Sequence, residues 1–344
     1  MTEISGQNSK TAVIGAGAIG GITAAFMTDA GWNLTLVCKH KLTLDIAAGP
    51  GLHIFGARGH HTIKVPSVRT IADLAGPLDL VFLAVKATDM IEALQELLPL
   101  LHPESMVVSL QNGICEESLA MVLGRQRVVG CVVGFGATMH EPGELEMTSS
   151  GEFVIGNLDH RPDPRLDPLK KMMSDVVPTR VSNNIMGELY SKLVINSCIT
   201  TLGGVCGLTL GAMMGKKKIR RLFLAIMREA MAVADKLGLK VEPAAGGKLD
   251  YYQYLDGDGW REDFKRHLML RLIGFKYRRL KSSTLQSLER GKEPETAYLN
   301  GYIVDKGRQL GVPTPVNQAL VRMIEEIVMG RRRISLANID ELSA

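Results

Sequence analysis

The sequence predicts an α/β domain built on a parallel sheet, followed by an all-helical domain. Short apolar segments alternate with helical patterns from residue 11 to residue 134, as expected for parallel strands joined by helices. From residue 185 onward the patterns are long and helical only. We place the boundary near Val181, which gives domains of residues 1–181 and 182–344.

The N-terminal elements can be assigned in order along the chain. A strand over residues 11–15 runs into a glycine-rich turn and a helix that Gly31 ends. Further strands are expected over 34–38, 78–85, 106–110 and 127–134, with helices near 87–100 and 115–124. Such an alternation predicts a parallel sheet covered on both faces. In the second domain, helices are expected over 185–203, 217–237, 262–290 and 295–310.

Composition limits the classes of protein to which this chain can belong. A chain of 344 residues with 46% hydrophobic and 22% charged residues suits two globular domains. The net charge of +4 is too small for a nucleic-acid surface but fits an anionic ligand. The five cysteines show no CxxC spacing, so we expect neither a disulfide framework nor a metal site. Without a secretory or membrane segment, the protein is predicted to be cytoplasmic.

The glycine-rich turn carries a nucleotide-binding pattern. Gly15, Gly17 and Gly20, with Ala18 and Ile19 between them, form G-x-G-x-x-G after a buried strand and at the start of a helix. Backbone amides at that helix terminus can face a pyrophosphate, and the helix dipole adds to the attraction. The context predicts a Rossmann-type domain that binds a dinucleotide.

The end of the second strand indicates which dinucleotide is bound. Enzymes that use NAD usually offer a carboxylate to the ribose at this place, whereas this chain has Lys39, His40 and Lys41. Cations suit a 2′-phosphate, so the sequence favours NADP. The alternative is a basic loop in solvent.

A polar line recurs in the first helix of the second domain. Glu188, Lys192, Asn196 and Thr200 are spaced by four residues and share one helix face. That face is either a solvated stripe with a Glu188–Lys192 ion pair or a polar line facing a cleft. The spacing alone leaves both interpretations open.

Several separated motifs resemble those of the ketopantoate reductases (2-dehydropantoate 2-reductases). GAGAIGG, AVKATD, LQNG, ELYSKLVIN, SSTLQSLERG and PETAYLNG occur in the order seen in that family and extend through both domains. The resemblance implies an NADPH-dependent enzyme that reduces a 2-oxo acid, most simply ketopantoate to D-pantoate in pantothenate biosynthesis. It also implies an N-terminal NADP-binding domain and a C-terminal domain for substrate binding and dimerisation.

The same resemblance implies roles for residues of the second domain. Lys192 matches the general acid that protonates the carbonyl oxygen, and Glu295 matches an acid that binds a substrate hydroxyl or orients the lysine. Asn196 matches an asparagine that contacts the substrate or holds the lysine, and Ser283 matches a serine that contacts the substrate carboxylate or hydroxyl. A nucleotide-sensing module without turnover is the alternative from another class, but it would need only the cofactor half.

In the first domain, the resemblance adds two cofactor residues and one shared residue. Lys39 matches a residue that binds the 2′-phosphate, and Lys86 matches a lysine near the cofactor ribose and the substrate. Asn112 matches an asparagine that contacts substrate and cofactor or holds the lysine. Lys86 and Asn112 each follow a predicted strand, at the sheet edge where ligands bind.

Three features depart from the family pattern. Thr200 stands where the type enzymes have a substrate-binding asparagine, so we expect it to contact the substrate with a hydroxyl in place of an amide. Ala297 stands where an acid is frequent. The segment between Gly238 and Ser283 is longer than expected and could cap the cleft, form an oligomer contact or extend a helix pair. These features motivate an alternative: a paralogous reductase for a bulkier ketone or 2-oxo acid. They are also compatible with a homodimer.

Overall fold

The structure is a computed structural model that describes residues 9–257 and 259–343, without the side chain of Ala245. The chain divides into two compact units. The N-terminal unit contains the described residues up to Gln111 together with Cys115–Met186. The C-terminal unit contains Asn112–Ile114 and the described residues from Gly187 onward. The predicted domain boundary lies at 181/182, and the division in the structure lies at 186/187.

The strands all lie in the N-terminal unit. They are β1 (Thr11–Ile14), β2 (Leu34–Val37), β3 (Leu52–Gly56), β4 (His61–Ile63), β5 (Ser67–Val68), β6 (Leu78–Leu83), β7 (Leu101–Ser109), β8 (Val128–Val133), β9 (Gly136–Glu141), β10 (Glu144–Ser149), β11 (Phe153–Asn157) and β12 (Thr179–Val181).

An eight-stranded sheet forms the centre of this unit, in the order β12-β11-β8-β7-β6-β1-β2-β5. Its strands are parallel except for the antiparallel pair of β8 and β11. All four residues of β1 are buried, as befits a strand flanked on both sides. The predicted α/β class with a mostly parallel sheet is confirmed.

A second, four-stranded sheet was not predicted. Its order is β4-β3-β10-β9, and one of its faces is buried through Leu52 and Ile54 of β3 and Leu145 of β10. Leu145 packs on the first helix, because a Cβ on Gly21 would lie 2.7 Å from its Cδ1. The strands are short and half-polar, so their alternation is weak in the sequence.

The helices follow in chain order. They are α1 (Ala18–Asp29), α2 (Lys41–Ala48), α3 (Met90–Leu97), α4 (Glu116–Leu123), α5 (Leu166–Ser174), α6 (Ile185–Cys206), α7 (Leu210–Gly215), α8 (Lys217–Lys236), α9 (Ala244–Gly247), α10 (Tyr251–Leu255), α11 (Trp260–Lys276), α12 (Ser283–Glu289), α13 (Asn300–Leu310) and α14 (Pro315–Val328).

The structure agrees with the helix end predicted at Gly31 and differs from two later predictions. Gly31 follows α1 with a φ of +89°, a left-handed conformation that ends a helix. The helix predicted over 262–290 is divided into α11 and α12, because the Ser282 hydroxyl accepts a hydrogen bond from the Leu285 amide and starts a new helix. The segment 295–310 begins as a 3₁₀ turn, Glu295–Tyr298, before α13.

The C-terminal unit is helical throughout its described residues apart from turns and loops. Helix α6 has no exposed residue along its 22 positions, which makes it the central helix of this unit. None of the helices in the described part of the chain combines the length and apolarity that crossing a membrane requires.

Candidate active site

The three glycines of the turn after β1 differ in what surrounds them. Gly15 has a φ of +110°, and a Cβ there would lie 2.8 Å from the Val85 backbone nitrogen. A Cβ on Gly20 would overlap the Gly15 carbonyl oxygen. In contrast, a Cβ on Gly17 would meet no described atom within 4 Å. The first and third glycines therefore allow close packing, while the second leaves open space at the start of α1.

That open space lies where an anion would be stabilised. Gly17 caps α1 in an extended conformation, and the amides of Ala18 and Ile19 belong to the first turn, where amides have no partner within the helix. The helix dipole adds positive potential. The turn thus fits a pyrophosphate held by backbone amides, as predicted for these five residues.

Lys86 lies at the carboxyl end of β6, half-buried, and begins a 3₁₀ turn. The Gln111 side-chain amide donates to the carbonyl oxygens of Val85 and Lys86, at 3.1 and 3.3 Å. Gln111 is itself buried. It fixes the loop that carries Lys86, a supporting role that the sequence analysis did not identify.

Two cations stand near the end of β2. Lys39 is exposed, and Lys41 pairs with Asp45 at 2.6 Å. The parallel register places Val37 beside Val68 of β5, and the Cys38 amide donates to the Val68 carbonyl. Arg69, also exposed, therefore follows β5 next to the start of the Lys39 loop. Arg69 could not be predicted from the sequence, because a strand of two residues such as β5 has no recognisable pattern.

The polar line of α6 is half-buried. Glu188, Lys192 and Asn196 are each partly covered, as are Ile195 and Ile199 on the same side. The structure thus does not have the fully solvated stripe that was one of the two open interpretations. A half-buried ammonium on a helix of the core fits the alternative, a polar line that faces a cleft.

Thr200 continues the line but is buried, and its hydroxyl donates to the Asn196 carbonyl at 2.7 Å. The proton of the hydroxyl is used within the helix. Toward a ligand, Thr200 therefore offers oxygen lone pairs and a methyl group, and it cannot act as the amide donor that an asparagine would be.

The loop that carries Asn112 packs on the turn that carries Glu295. Gly113 has a φ of +91°, and a Cβ there would lie 2.6 Å from the Tyr298 carbonyl oxygen. Asn112 and Glu295 are both half-buried. The positive φ and the close approach explain why the motif reads Asn-Gly. Two of the predicted site segments are thereby brought together.

A buried polar network holds the Glu295 turn to α6. Asn300, which begins α13 directly after that turn, donates to the Ser197 carbonyl at 3.1 Å and to the Asn317 side chain at 2.8 Å. Thr201 of α6 donates to the Asn300 side-chain oxygen. Asn317 in turn donates to Glu229 of α8 at 2.7 Å. This network fixes the position of α6, and its members were not recognised as functional in the sequence.

The start of α12 packs on the last turns of α6. A Cβ on Gly203 would lie 2.6 Å from the Ser282 Oγ, so only glycine allows this approach. Ser282 is buried as the cap of α12, whereas Ser283, the predicted substrate residue, is exposed at its first position. Ser283 is therefore near the Thr200 end of the polar line but is not enclosed.

The long segment after Gly238 also supports α6. Tyr251 is buried, and its hydroxyl donates at 2.6 Å to the carbonyl of Ser191, the residue before Lys192. Tyr190 is buried as well and donates to the Ala230 carbonyl at 2.7 Å. Burial raises the pKa of both phenols above the ordinary value, which keeps them neutral donors.

The predicted residues thus fall into two sets. Lys192, Glu295 and the four predicted substrate-binding residues lie in the C-terminal unit, and the glycine turn with Lys39 and Lys86 lies in the N-terminal unit. Asn112, predicted for both roles, is counted with the C-terminal unit. Among the residues that the structure describes, no group of three or more histidine, cysteine or acidic side chains could hold a metal ion.

The chain is similar to known proteins along most of its length. It matches the model "Ketopantoate reductase PanE/ApbA" over residues 11–160 and the model of that family's C-terminal region over residues 184–328. A 2-dehydropantoate 2-reductase of Archaeoglobus fulgidus is 24% identical, over 93% of this chain and 98% of the relative. The corresponding enzyme of Aquifex aeolicus is 25% identical, over 92% and 96%.

Solved structures show the same fold. A PanE/ApbA family ketopantoate reductase from Ralstonia eutropha superposes with a TM-score of 0.79 and 28% identity, covering 94% of this chain and all of the other. A D-mandelate dehydrogenase with NADH and anilino(oxo)acetate superposes with a TM-score of 0.77 and 20% identity, covering 94% and 99%.

The two family models together match far more than half of the chain. The interpretation as a nucleotide-sensing module without turnover is therefore set aside, since the family consists of oxidoreductases that act on CH–OH groups with a pyridine nucleotide. The glycine turn, the polar line of α6 and these matches identify the chain as an oxidoreductase of the ketopantoate reductase family.

Proposed function

We propose that the protein reduces a 2-oxo acid to the 2-hydroxy acid with NADPH, and that ketopantoate is its leading substrate. The observation that carries this proposal is the half-buried line of Glu188, Lys192 and Asn196 on α6, a helix without exposed residues. Charged groups are costly to bury even in part, so such a line on a core helix favours a role in binding or catalysis over a purely structural one.

The chemistry follows from the residue types. A bound nicotinamide supplies a hydride to the carbonyl carbon, and negative charge develops on the carbonyl oxygen. The Lys192 ammonium stabilises that charge and donates a proton to the oxygen, acting as general acid. Asn196, one helical turn away, can donate to the oxygen or accept from the ammonium. Glu295 orients the lysine or accepts a hydrogen bond from a substrate hydroxyl.

Substrate binding requires donors for a carboxylate. The Asn112 amide and the Ser283 hydroxyl provide them in this proposal. At Thr200 the hydroxyl proton is used within the helix, which leaves a methyl group and oxygen lone pairs. This observation favours a second candidate, a bulkier or more apolar 2-oxo acid, because the pocket has lost an amide there and gained an apolar group.

Steady-state NADPH oxidation separates the two candidates. Ketopantoate is compared with pyruvate, 2-oxoisovalerate and a bulky aromatic 2-oxo acid by kcat/KM. A preference of about a hundredfold or more for ketopantoate supports the first candidate, since that ratio lies at the upper end of what one extra methylene contributes. Better turnover of the bulky substrate supports the second. Tight NADPH binding without turnover of any substrate contradicts both.

We propose NADPH rather than NADH because Lys39 and Arg69 place two exposed cations at the end of β2 and β5. Lys39→Ala should raise KM for NADPH about tenfold and leave KM for NADH nearly unchanged, through the loss of a charge-assisted phosphate contact. Arg69→Ala should act in the same direction. Lys64→Ala, another exposed lysine of this unit, is the matched control. Equal effects on both cofactors would remove the case for phosphate recognition.

A further inference from the structure

The half-buried side of α6 carries more than the polar line. Apart from Met186 in the first turn, the half-buried positions of the helix are Glu188, Lys192, Ile195, Asn196 and Ile199. At 3.6 residues per turn, these five positions fall within an arc of about 100° around the helix axis. We call this arc the open side of α6. It includes two isoleucines as well as the polar side chains.

Helix geometry explains why the polar line leaves the open side. Residues four apart are rotated by about 40° at each step, so Thr200 lies about 80° from Lys192 and is buried. Residues seven apart are rotated by only about 20°, which keeps Ile199 almost in line with Lys192. Ile195 lies about 60° from Lys192, on the side away from Asn196. Towards the C-terminal end of α6, the open side is therefore largely apolar.

The flank of the open side beyond Asn196 is polar. Gly203 follows Asn196 by seven residues and lies almost in line with it. A Cβ on Gly203 would lie 2.6 Å from the Ser282 Oγ, so the start of α12 borders this flank. The exposed Ser283 is the first residue of α12. A carboxylate bound by Ser283 would therefore lie on the Asn196 flank.

The opposite flank, beyond Ile195, is bordered by the long segment after Gly238. Tyr251 of α10 is buried and donates to the Ser191 carbonyl at 2.6 Å. Ser191 precedes Ile195 by four residues and lies about 40° further around the helix. This segment is one of the features in which the chain departs from the family pattern. The isoleucine flank is thus bordered by a part of the chain that is not typical of the family.

The shape of a 2-oxo acid matches this division into a polar and an apolar flank. Its carbonyl carbon carries a carboxylate and a carbon chain, and the two leave that carbon in different directions. If the carboxylate lies on the Asn196 flank, the carbon chain points to the isoleucines. Because a β-branched side chain on a helix has one strongly preferred χ1 rotamer, two isoleucines form a stiff aliphatic wall that can discriminate by shape.

On the basis of the function proposed above, we propose that Ile195 and Ile199 bind the carbon chain of the substrate and select branched aliphatic 2-oxo acids. Ile195 lies about 4.5 Å from Lys192 along the helix axis, and Ile199 lies about 10.5 Å from it. The carbons next to the carbonyl therefore meet Ile195, and only a longer chain reaches Ile199. The C3 branch of ketopantoate and of 2-oxoisovalerate would contact Ile195.

Steady-state kcat/KM with pyruvate, 2-oxoisovalerate, ketopantoate and 4-methyl-2-oxopentanoate tests the proposal. Ile195→Ala should lower kcat/KM for the three branched substrates at least about tenfold relative to pyruvate, the lower end of what a single methylene contributes in an apolar pocket. Ile199→Ala should have this effect on 4-methyl-2-oxopentanoate alone, because only its chain is long enough and wholly aliphatic. Ile327→Ala, at a half-buried isoleucine of α14, is the matched control and should change these ratios by less than about twofold.

A conservative variant keeps the test decisive if Ile195→Ala does not fold, as measured by circular dichroism. Ile195→Val removes one methyl group and should lower the ratio of branched substrates to pyruvate by a smaller factor than Ile195→Ala, with turnover of pyruvate retained. Unchanged ratios in the Ile195 variants, an equal loss for pyruvate and the branched substrates, or a wild type that prefers an aromatic 2-oxo acid would overturn this inference and leave the reduction of 2-oxo acids standing. A wild type that reduces no 2-oxo acid would overturn both.

Discussion

The glycine turn of the N-terminal unit and helix α6 of the C-terminal unit are candidate sites of two different kinds. The turn would bind its ligand with backbone amides. Sterics within the fold require glycine at Gly15 and Gly20, whereas Gly17 leaves open space for the ligand. Helix α6 would act through the side chains of Lys192 and Asn196, which local sterics do not dictate. A site made of backbone amides can thus be predicted from a short sequence motif, whereas a site made of side chains depends on the residues that pack around the helix.

The largest expected effect concerns α6. Lys192→Ala should lower kcat by about two orders of magnitude or more with nucleotide affinity little changed, because general-acid catalysis has that scale. Steady-state kinetics and a fluorescence titration with NADPH measure the two quantities. Lys236→Ala, at the exposed end of α8, is the control for removing a lysine from this unit. Activity retained within a few-fold would show that Lys192 is not the acid.

At the glycine turn, a substitution should lower nucleotide affinity, the quantity that Lys192→Ala leaves nearly unchanged. Gly17→Ala introduces a methyl group into open space, so the free energy of unfolding should change by no more than about 1 kcal/mol. Nucleotide affinity should fall about tenfold or more, since the methyl group blocks close approach of the pyrophosphate. Gly20→Ala should instead lower the unfolding free energy by at least about 2 kcal/mol, because its Cβ overlaps the Gly15 carbonyl.

Urea unfolding and a binding titration measure both glycine variants. The informative result is that Gly17→Ala lowers nucleotide affinity while Gly20→Ala lowers the free energy of unfolding. If Gly17→Ala kept full nucleotide affinity, the open space would not be the pyrophosphate site.

The network around Asn300 tests whether α6 depends on its surroundings. Asn300→Ala leaves the Thr201 hydroxyl and the Asn317 side-chain oxygen without their partner. The free energy of unfolding should fall by about 2–4 kcal/mol, as expected for buried groups left unsatisfied. Below the unfolding temperature, kcat should fall more than nucleotide affinity, since the network lies in the unit that carries Lys192.

A matched control for this variant is Asn338→Ala, a buried asparagine that bonds the Val205 carbonyl near the far end of α6. Asn338→Ala should lower the free energy of unfolding by a similar amount. Its kcat should fall less than that of Asn300→Ala. Parallel losses of activity in both variants would mean that stability alone explains the Asn300 effect.

The smallest expected effect lies at Thr200. Thr200→Val removes a hydroxyl whose proton is already donated to the Asn196 carbonyl, and that carbonyl keeps its helical hydrogen bond. We expect kcat/KM for the best 2-oxo acid to change by less than about threefold. A loss of a hundredfold or more would mean that the Thr200 oxygen accepts a hydrogen bond from the substrate.

The sequence predicted the parts of the fold that consist of long or continuous apolar runs. Strand β1 is apolar and buried at all four positions, helix α6 is apolar along most of its length, and the G-x-G-x-x-G turn has a local steric cause. The second sheet was missed because its strands alternate half-buried residues, such as His53 and Phe55, with apolar ones over only a few positions. The break at Ser282 was missed because a single capping serine looks like any other polar residue.

The candidate site was predictable only in part, for related physical reasons. The spacing of the α6 line is local, but its half-burial depends on tertiary packing. Gln111, Asn300 and Tyr251 support the site through contacts with residues 25 or more positions away, namely Lys86, Ser197 and Ser191. Single-sequence patterns carry no record of such pairings.

The assignment of Asn112–Ile114 to the C-terminal unit limits how the two units can be exchanged between related enzymes by recombination. The polypeptide enters that unit, leaves it after three residues and returns at Gly187, so neither unit is one continuous stretch of chain. A cut at the apparent boundary would deliver a C-terminal fragment that lacks Gly113, the glycine against which the Tyr298 carbonyl packs. The two halves therefore cannot be exchanged between related enzymes by a single crossover, and a recombined chain has to carry this tripeptide with its proper partner.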